Sequence, residues 1–245
     1  LFEGKILIIK NAFSDMQIDS MKSNTIKFWN SCPSTFHKMV DGVPNFHRVI
    51  DHEVAKNYSF TAIKHSAYCF PWNDDITGMR DVIMERWSII KTLVGLAPDA
   101  FVGNIPSSGT IDRIQICLYP PRYGVLETHT DPTHNQPVFI SGYMSERKPN
   151  GDYESGGVYV LDDQNEVMDL EGVIDVGDMA IGLATIKHGV APVDPSFEGS
   201  VDWFADRGRW FLGLYSNDSD MVKHRKTGSR VVENPANTAC RIKDT

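Results

Sequence analysis

Eight histidines are scattered along this 245-residue chain, and only His129 stands two residues before an aspartate, in Thr128-His129-Thr130-Asp131. On a β-strand, residues two apart point to the same face, so this imidazole and this carboxylate can grip one ion. A third ligand must come from elsewhere in the sheet. His188 is the candidate, in Ile186-Lys187-His188-Gly189-Val190, a stretch that also reads as strand. Two histidines and a carboxylate on one side of an ion form the facial set that holds non-heme Fe(II) and leaves positions open for other ligands. Zinc is held by the same residue types, so the ligands alone leave the metal open. Taken by itself, His188 is more readily a core histidine satisfied by its neighbours.

The wider pattern changes that weighting. Tyr119-Pro-Pro-Arg-Tyr-Gly-Val-Leu-Glu-Thr-His129-Thr-Asp131 resembles the entrance motif of the Fe(II)/2-oxoglutarate-dependent oxygenases, in particular their prolyl-hydroxylase-like branch. Ser155-Gly156-Gly157-Val158 is similar to the Ser-Gly-Gly that opens a middle strand there, and Gly177-Asp178-Met179 to the turn ahead of the distal histidine. His188-Gly189-Val190-Ala191-Pro192 resembles the distal block, and Gly208-Arg209-Trp210-Phe211-Leu212 the arginine strand that follows it. The five blocks agree in order and rough spacing.

The resemblance implies an enzyme with Fe(II) on His129, Asp131 and His188, and with 2-oxoglutarate and O2 as co-substrates. It implies that Arg209 anchors the far carboxylate of 2-oxoglutarate, with Tyr119 and Tyr143 nearby. A guanidinium suits that role because its planar fork matches a carboxylate and it stays charged when desolvated. Arg207 is the local rival, although it sits in an Asp-Arg-Gly turn ahead of the apolar run. Many relatives carry Arg-x-Ser, whose serine also touches the co-substrate; here Phe211 stands in that place, which favours assistance by tyrosine. Asp131 is intact, and halogenating members tend to replace it, so hydroxylation is expected.

For the substrate, His47, Tyr68, Trp72 and His134 are the candidate contacts, from an aromatic and polar cluster before the second helix and from the turn beyond Asp131. Packing of the flank onto the sheet explains the first three equally well, and solvent exposure explains His134. A small metabolite, such as an amino acid or natural-product intermediate, is the expected substrate. A peptidyl or protein hydroxylase is the alternative, and a jelly-roll binding module with a vestigial metal site is the alternative of another class.

These residues need a scaffold, and the patterning supplies one. Ser14 and Gln17 fit a capping box that opens a first helix. From Asp75 onward, Ile76, Met79, Val82, Ile83, Trp87, Ile90 and Val94 recur at helical steps, with Gly95 placed to end the helix. From Ile111 the period becomes two. Strands are expected around Ile114–Leu118, Val125–His129, Val138–Tyr143, Val158–Leu161, Glu166–Leu170, Asp178–Ala184, Ile186–Val190 and Arg209–Tyr215. Lys5–Lys10 reads as one earlier strand, and Val43–Asn73 has no clean period. The expected fold is mainly β, a double-stranded β-helix (jelly roll) with an α-helical N-terminal flank. A single oxygenase domain, 1–245, is expected: helical flank and lid over 1–105, jelly-roll core over 106–217 and C-terminal tail over 218–245.

With 24 basic and 32 acidic residues, the net charge is −8, which argues against a protein that coats nucleic acid. The short basic run at Lys223–Lys226 does not change this. No apolar run is long enough to span a bilayer, and no signal-peptide pattern is present. The four cysteines form no CxxC pair, so free thiols in a reducing cytoplasm are expected. The chain opens on Leu1, so the natural start is expected upstream. The sequence says nothing of oligomeric state.

Overall fold

The computed structural model describes residues 3–231, so that part of the expected tail, with Cys240, lies outside the described residues. In chain order the elements are β1 (Leu7–Ile9), α1 (Asp15–Ser31), β2 (Phe46–Ile50), α2 (His52–Ala55), β3 (Ala62–Cys69), α3 (Arg80–Leu93), β4 (Thr110–Tyr119), β5 (Val125–Thr130), β6 (Val138–Tyr143), β7 (Gly157–Leu161), β8 (Val167–Asp169), β9 (Met179–Leu183), β10 (His188–Ala191), β11 (Arg209–Asp218) and β12 (Ser229–Arg230).

Helix α1 starts where its capping box requires. The Gln17 N–H donates to Ser14 Oγ at 3.4 Å, and the Ser14 N–H donates back to Gln17 Oε1 at 3.0 Å. Helix α3 begins five residues later than its apolar period suggests. Asp75 first accepts bonds from the Thr77 hydroxyl and the Thr77 and Arg80 N–H groups, a local turn that competes with helix and delays it. Gly95 stands just past the last turn of α3 at a φ of +83°, a conformation that favours glycine.

From β4 onward the chain passes back and forth between two antiparallel sheets, as a jelly roll does. The larger sheet runs β2-β3-β4-β11-β6-β9-β1, and the smaller runs β5-β10-β7-β8 with β12 on the far side of β5. Strand β3 joins them: Ala62 and Ile63 pair with β5, and His65–Cys69 pair with β4. The fold is mainly β with helices on one outer face, as the alternation after Ile111 indicates. The first third contributes more to the sheets than expected, because Val43–Asn73 supplies β2 and β3. Helices cover one face of β3 and the barrel the other, so six of its eight residues are buried and no alternation marks it in the sequence.

On the outer face of the large sheet, Met21, Trp29, Ile83, Trp87 and Ile90 of the two long helices pack on Ile114, Ile116, Leu118, Trp210, Leu212 and Leu214. Trp29 stacks on Trp210 at 5.0 Å and on His65 at 3.6 Å. The opposite residues of the same strands, Cys117, Tyr119 and Phe211, turn into the barrel with Val190. Burial of one complete face of β4 and β11 therefore fixes what the other face presents to the interior. Among the described residues, no helix is long and apolar enough to cross a membrane.

Candidate metal and co-substrate site

Strand register brings the three expected ligands together. His129 and His188 stand opposite each other on β5 and β10, and their rings lie 4.3 Å apart. Asp131 follows two residues after His129, where its N–H bonds the carbonyl of Ala184 at 2.9 Å. Both imidazoles are oriented the same way. His129 Nδ1 lies 3.0 Å from the Glu127 carbonyl and His188 Nδ1 2.9 Å from the Ile186 carbonyl, so each Nδ1 carries the proton and donates it. The Nε2 lone pairs are left facing Asp131, at 3.7 Å from Oδ1 and from Oδ2 respectively. One ligand atom from each residue lies within 4.8 Å of the other two. Burial, then the neighbouring His188, lowers the His129 imidazole to about 4, against the pull of Asp131. A neutral imidazole with a free Nε2 is the form that ligates a metal.

Deeper in the barrel, Arg209 is 2% exposed. Its backbone is set by Gly208, at a φ of +131°, where a Cβ would stand 2.5 Å from the Tyr119 carbonyl oxygen. Arg209 Nε donates to Glu171 Oε1 at 2.5 Å, and the same oxygen accepts from the Val158 N–H at 2.8 Å. The guanidinium carbon lies 5.3 Å from the Tyr143 ring centre and 5.9 Å from that of Tyr119. Arg209 Nη2 and the hydroxyls of Tyr119, Tyr143 and Tyr153 are all buried without a well-formed hydrogen bond. Orphaned buried donors are rare and costly, so a free Nη2 with the Tyr119 and Tyr143 hydroxyls beside it, and Tyr153 next to Glu171, marks a place for an acceptor from outside the chain. A carboxylate fits that donor set. Burial raises the Tyr143 phenol, which keeps its proton available for donation. Lys64 adds a second cation here: its Nζ is 5.8 Å from the Tyr119 and Phe211 ring centres, and its charge acts on His129.

The substrate candidates are spread more widely. Tyr68 faces the barrel and stacks on Phe46 at 4.6 Å. His47 is buried on the helix side, between His65 Nε2 and the Cys32 carbonyl, each 2.8 Å away. Trp72 stacks on Phe70 and donates to the Val43 carbonyl at 3.3 Å. His134 Nε2 is held by Asp218 at 2.9 Å. Arg207 lies over the Phe197 ring at 4.7 Å, away from the barrel cluster. Glu171 and Tyr153 had no signal in the sequence, since Glu171 stands just beyond the expected strand Glu166–Leu170 and Tyr153 lies outside every expected strand. Lys64, Arg113 and Tyr215 escaped notice for a different reason: each occupies an inward position of a strand, legible only once the register is known.

No protein-family model matches the chain, and no curated protein matches it in sequence. Solved structures do match in shape. A prolyl hydroxylase from Trichoplax adhaerens, in complex with a hypoxia-inducible-factor oxygen-degradation-domain peptide fragment, aligns at a TM-score of 0.53 and 13% identity, over 90% of this chain and 86% of that one. A Pseudomonas putida prolyl-4-hydroxylase aligns at 0.51 and 12% identity, over 86% and 91%. AviO1 from Streptomyces viridochromogenes Tue57 aligns at 0.51 and 13% identity, over 90% and 92%. The fold is that of the prolyl hydroxylases. At this identity the likeness establishes the fold, and the chemistry rests on the residues of the barrel.

Proposed function

We propose that the chain is an Fe(II)- and 2-oxoglutarate-dependent dioxygenase that hydroxylates an unactivated C–H bond of a small metabolite. The observation that carries this reading is the pairing, in one barrel, of a His-Asp-His cluster with free Nε2 atoms and an orphaned donor cluster around Arg209. Neither feature alone selects the chemistry, but a metal with open positions beside a carboxylate receptor suits a chelating keto acid. Iron would be held by His129, Asp131 and His188. When bound, iron with 2-oxoglutarate and O2 supplies the oxidant for the C–H bond, and the keto acid leaves as succinate and carbon dioxide.

The protein's own residues bind, orient and exclude water. Arg209 and the Tyr119, Tyr143 and Tyr153 hydroxyls would receive the far carboxylate of 2-oxoglutarate, and Glu171 fixes the guanidinium by its Nε edge. The buried walls around Phe139, Val158, Val160 and Phe211 keep water from the reacting centre. Asp131 fills a ligand position that halogenation would need vacant, so hydroxylation is the assigned outcome.

The test is formation of succinate from 2-oxoglutarate, dependent on Fe(II) and O2 and stimulated by members of a metabolite library. Stimulation by small molecules with an oxygen atom gained is the expected result. Stimulation by prolyl peptides alone would move the substrate to the class named in the Trichoplax complex, and no succinate in any arm would overturn the reading.

A further inference from the structure

Deepening the iron reading above, on which it rests, we propose that the substrate is an organic carboxylic acid with an apolar body, and that Arg113 and Arg48 receive its carboxylate at the barrel mouth. The chain carries a net charge of −8, and Arg86, Arg147, Arg209, Arg225 and Arg230 each have a carboxylate within 4.0 Å. Arg48 and Arg113, like Arg80, Arg122 and Arg207, have none among the described residues; of these five, only Arg113 carries a guanidinium nitrogen that is buried without a partner. Arg113 lies on the inward face of β4 with Gln115, Cys117 and Tyr119. Its Nε is buried without a partner, and Nη1 has only Met39 Sδ, 4.0 Å away.

Aromatic rings hold both guanidiniums in place. Arg113 lies 4.8 Å from the Tyr215 ring centre and 5.4 Å from that of Tyr68. Arg48 lies 4.7 Å from Phe36 and 5.5 Å from Tyr58, whose hydroxyl accepts from its Nη1 at 2.8 Å. Phe36 and Tyr58 are themselves exposed, which places Arg48 at an opening, with Arg113 more deeply set. Phe36 meets Phe46 edge-on at 6.4 Å and Phe46 stacks on Tyr68 at 4.6 Å, so one run of rings links the two cations. That neighbourhood approaches the metal ligands across the sheet: Tyr215 stands two residues past Gly213, which pairs with Ser141, and two residues before Ser141 is Phe139, whose ring lies 4.6 Å from that of His188.

Two guanidiniums along one run of rings with no counter-charge repel, and stacking on rings leaves their N–H edges free. An incoming carboxylate relieves the repulsion and finds donors in a partly desolvated setting, where charge-assisted bonds are strongest. The rings of Phe36, Phe46, Tyr58, Tyr68 and Tyr215 would cover an apolar body.

Affinities of 4-phenylbutyrate, 4-phenylbutyramide and phenyl phosphate, measured by saturation-transfer NMR on the full chain with 2-oxoglutarate and Mn(II), test this. The carboxylate should bind at least about tenfold tighter than the amide, its ring protons should be relaxed by Mn(II), and the preference should fall to near one in Arg113→Gln. Equal affinity for acid and amide, or a preference that survives in both Arg113→Gln and Arg48→Gln, overturns the proposal. So does tight binding without relaxation by bound Mn(II), or a preference for phenyl phosphate. Should Arg113→Gln fail to fold, Arg48→Gln decides by the same ratio. If the wild-type chain takes up no Mn(II), the iron reading fails instead, while saturation transfer still reads the acid preference.

Discussion

Replacing Glu171 with Gln removes the one carboxylate that faces Arg209 among the described residues and leaves the shape of the pocket intact. The Arg209 and Glu171 side chains are 2% and 3% exposed, so the variant leaves a buried guanidinium without its counter-charge. Breaking a buried pair by removing one partner costs about 3–5 kcal/mol, against a total stability of about 5–15 kcal/mol for a domain. Gln keeps an oxygen for the Val158 N–H, so the loss is one of charge. Urea unfolding with and without 2-oxoglutarate and Mn(II), under argon, measures it. In the wild type, ligand at about 100 times its Kd adds about 2.7 kcal/mol. In Glu171→Gln the ligand carboxylate takes the place of the lost counter-charge beside Arg209, so the added stability should exceed the wild-type gain. A loss under about 1 kcal/mol, or a smaller ligand gain than in the wild type, refutes the claim that this guanidinium is the carboxylate receptor.

Other consequences are simpler to read. Ser14→Ala should cost about 1 kcal/mol in thermal unfolding, because it deletes the N-cap acceptor of α1; an unchanged melting temperature would contradict the capping box. Burial lowers His65 to about 3, and the unfolded value is near 6.5. The unfolded chain therefore binds a proton in that window that the folded chain does not, and stability falls on acidification by up to about 1.4 kcal/mol per pH unit. His65→Gln lacks this contribution, so the stability difference between wild type and variant should shift in the variant's favour from pH 7 to pH 4.5. A difference constant with pH would contradict it.

Much of this arrangement was legible in the sequence because local chemistry and global fold agree. Ser14 and Gln17 announce α1, and the alternation of Ile114, Ile116 and Leu118 against Gln115, Cys117 and Tyr119 announces β4 and its inward face. His129, Asp131 and His188 were legible because the family resemblance supplied a spacing that composition could not. Strand β3 was hidden because it is covered on both faces and has no polar side to alternate. Glu171 was hidden for the opposite reason: an acid just beyond Leu170 reads as surface, and only the closing of β7 and β8 over Arg209 buries it. His47 shows the limit of reading a cluster from composition, since one step of register sends it to the helix face with Ala67 while Phe46 and Arg48 face the barrel.

The most direct test of the central claim is an anaerobic titration of the metal-free chain with Fe(II) and then 2-oxoglutarate, followed by visible absorption. The account predicts a charge-transfer band that requires both additions, is absent in His188→Ala and is weakened in Arg209→Ala. Iron that binds without such a band, or a band that persists in His188→Ala, would contradict it.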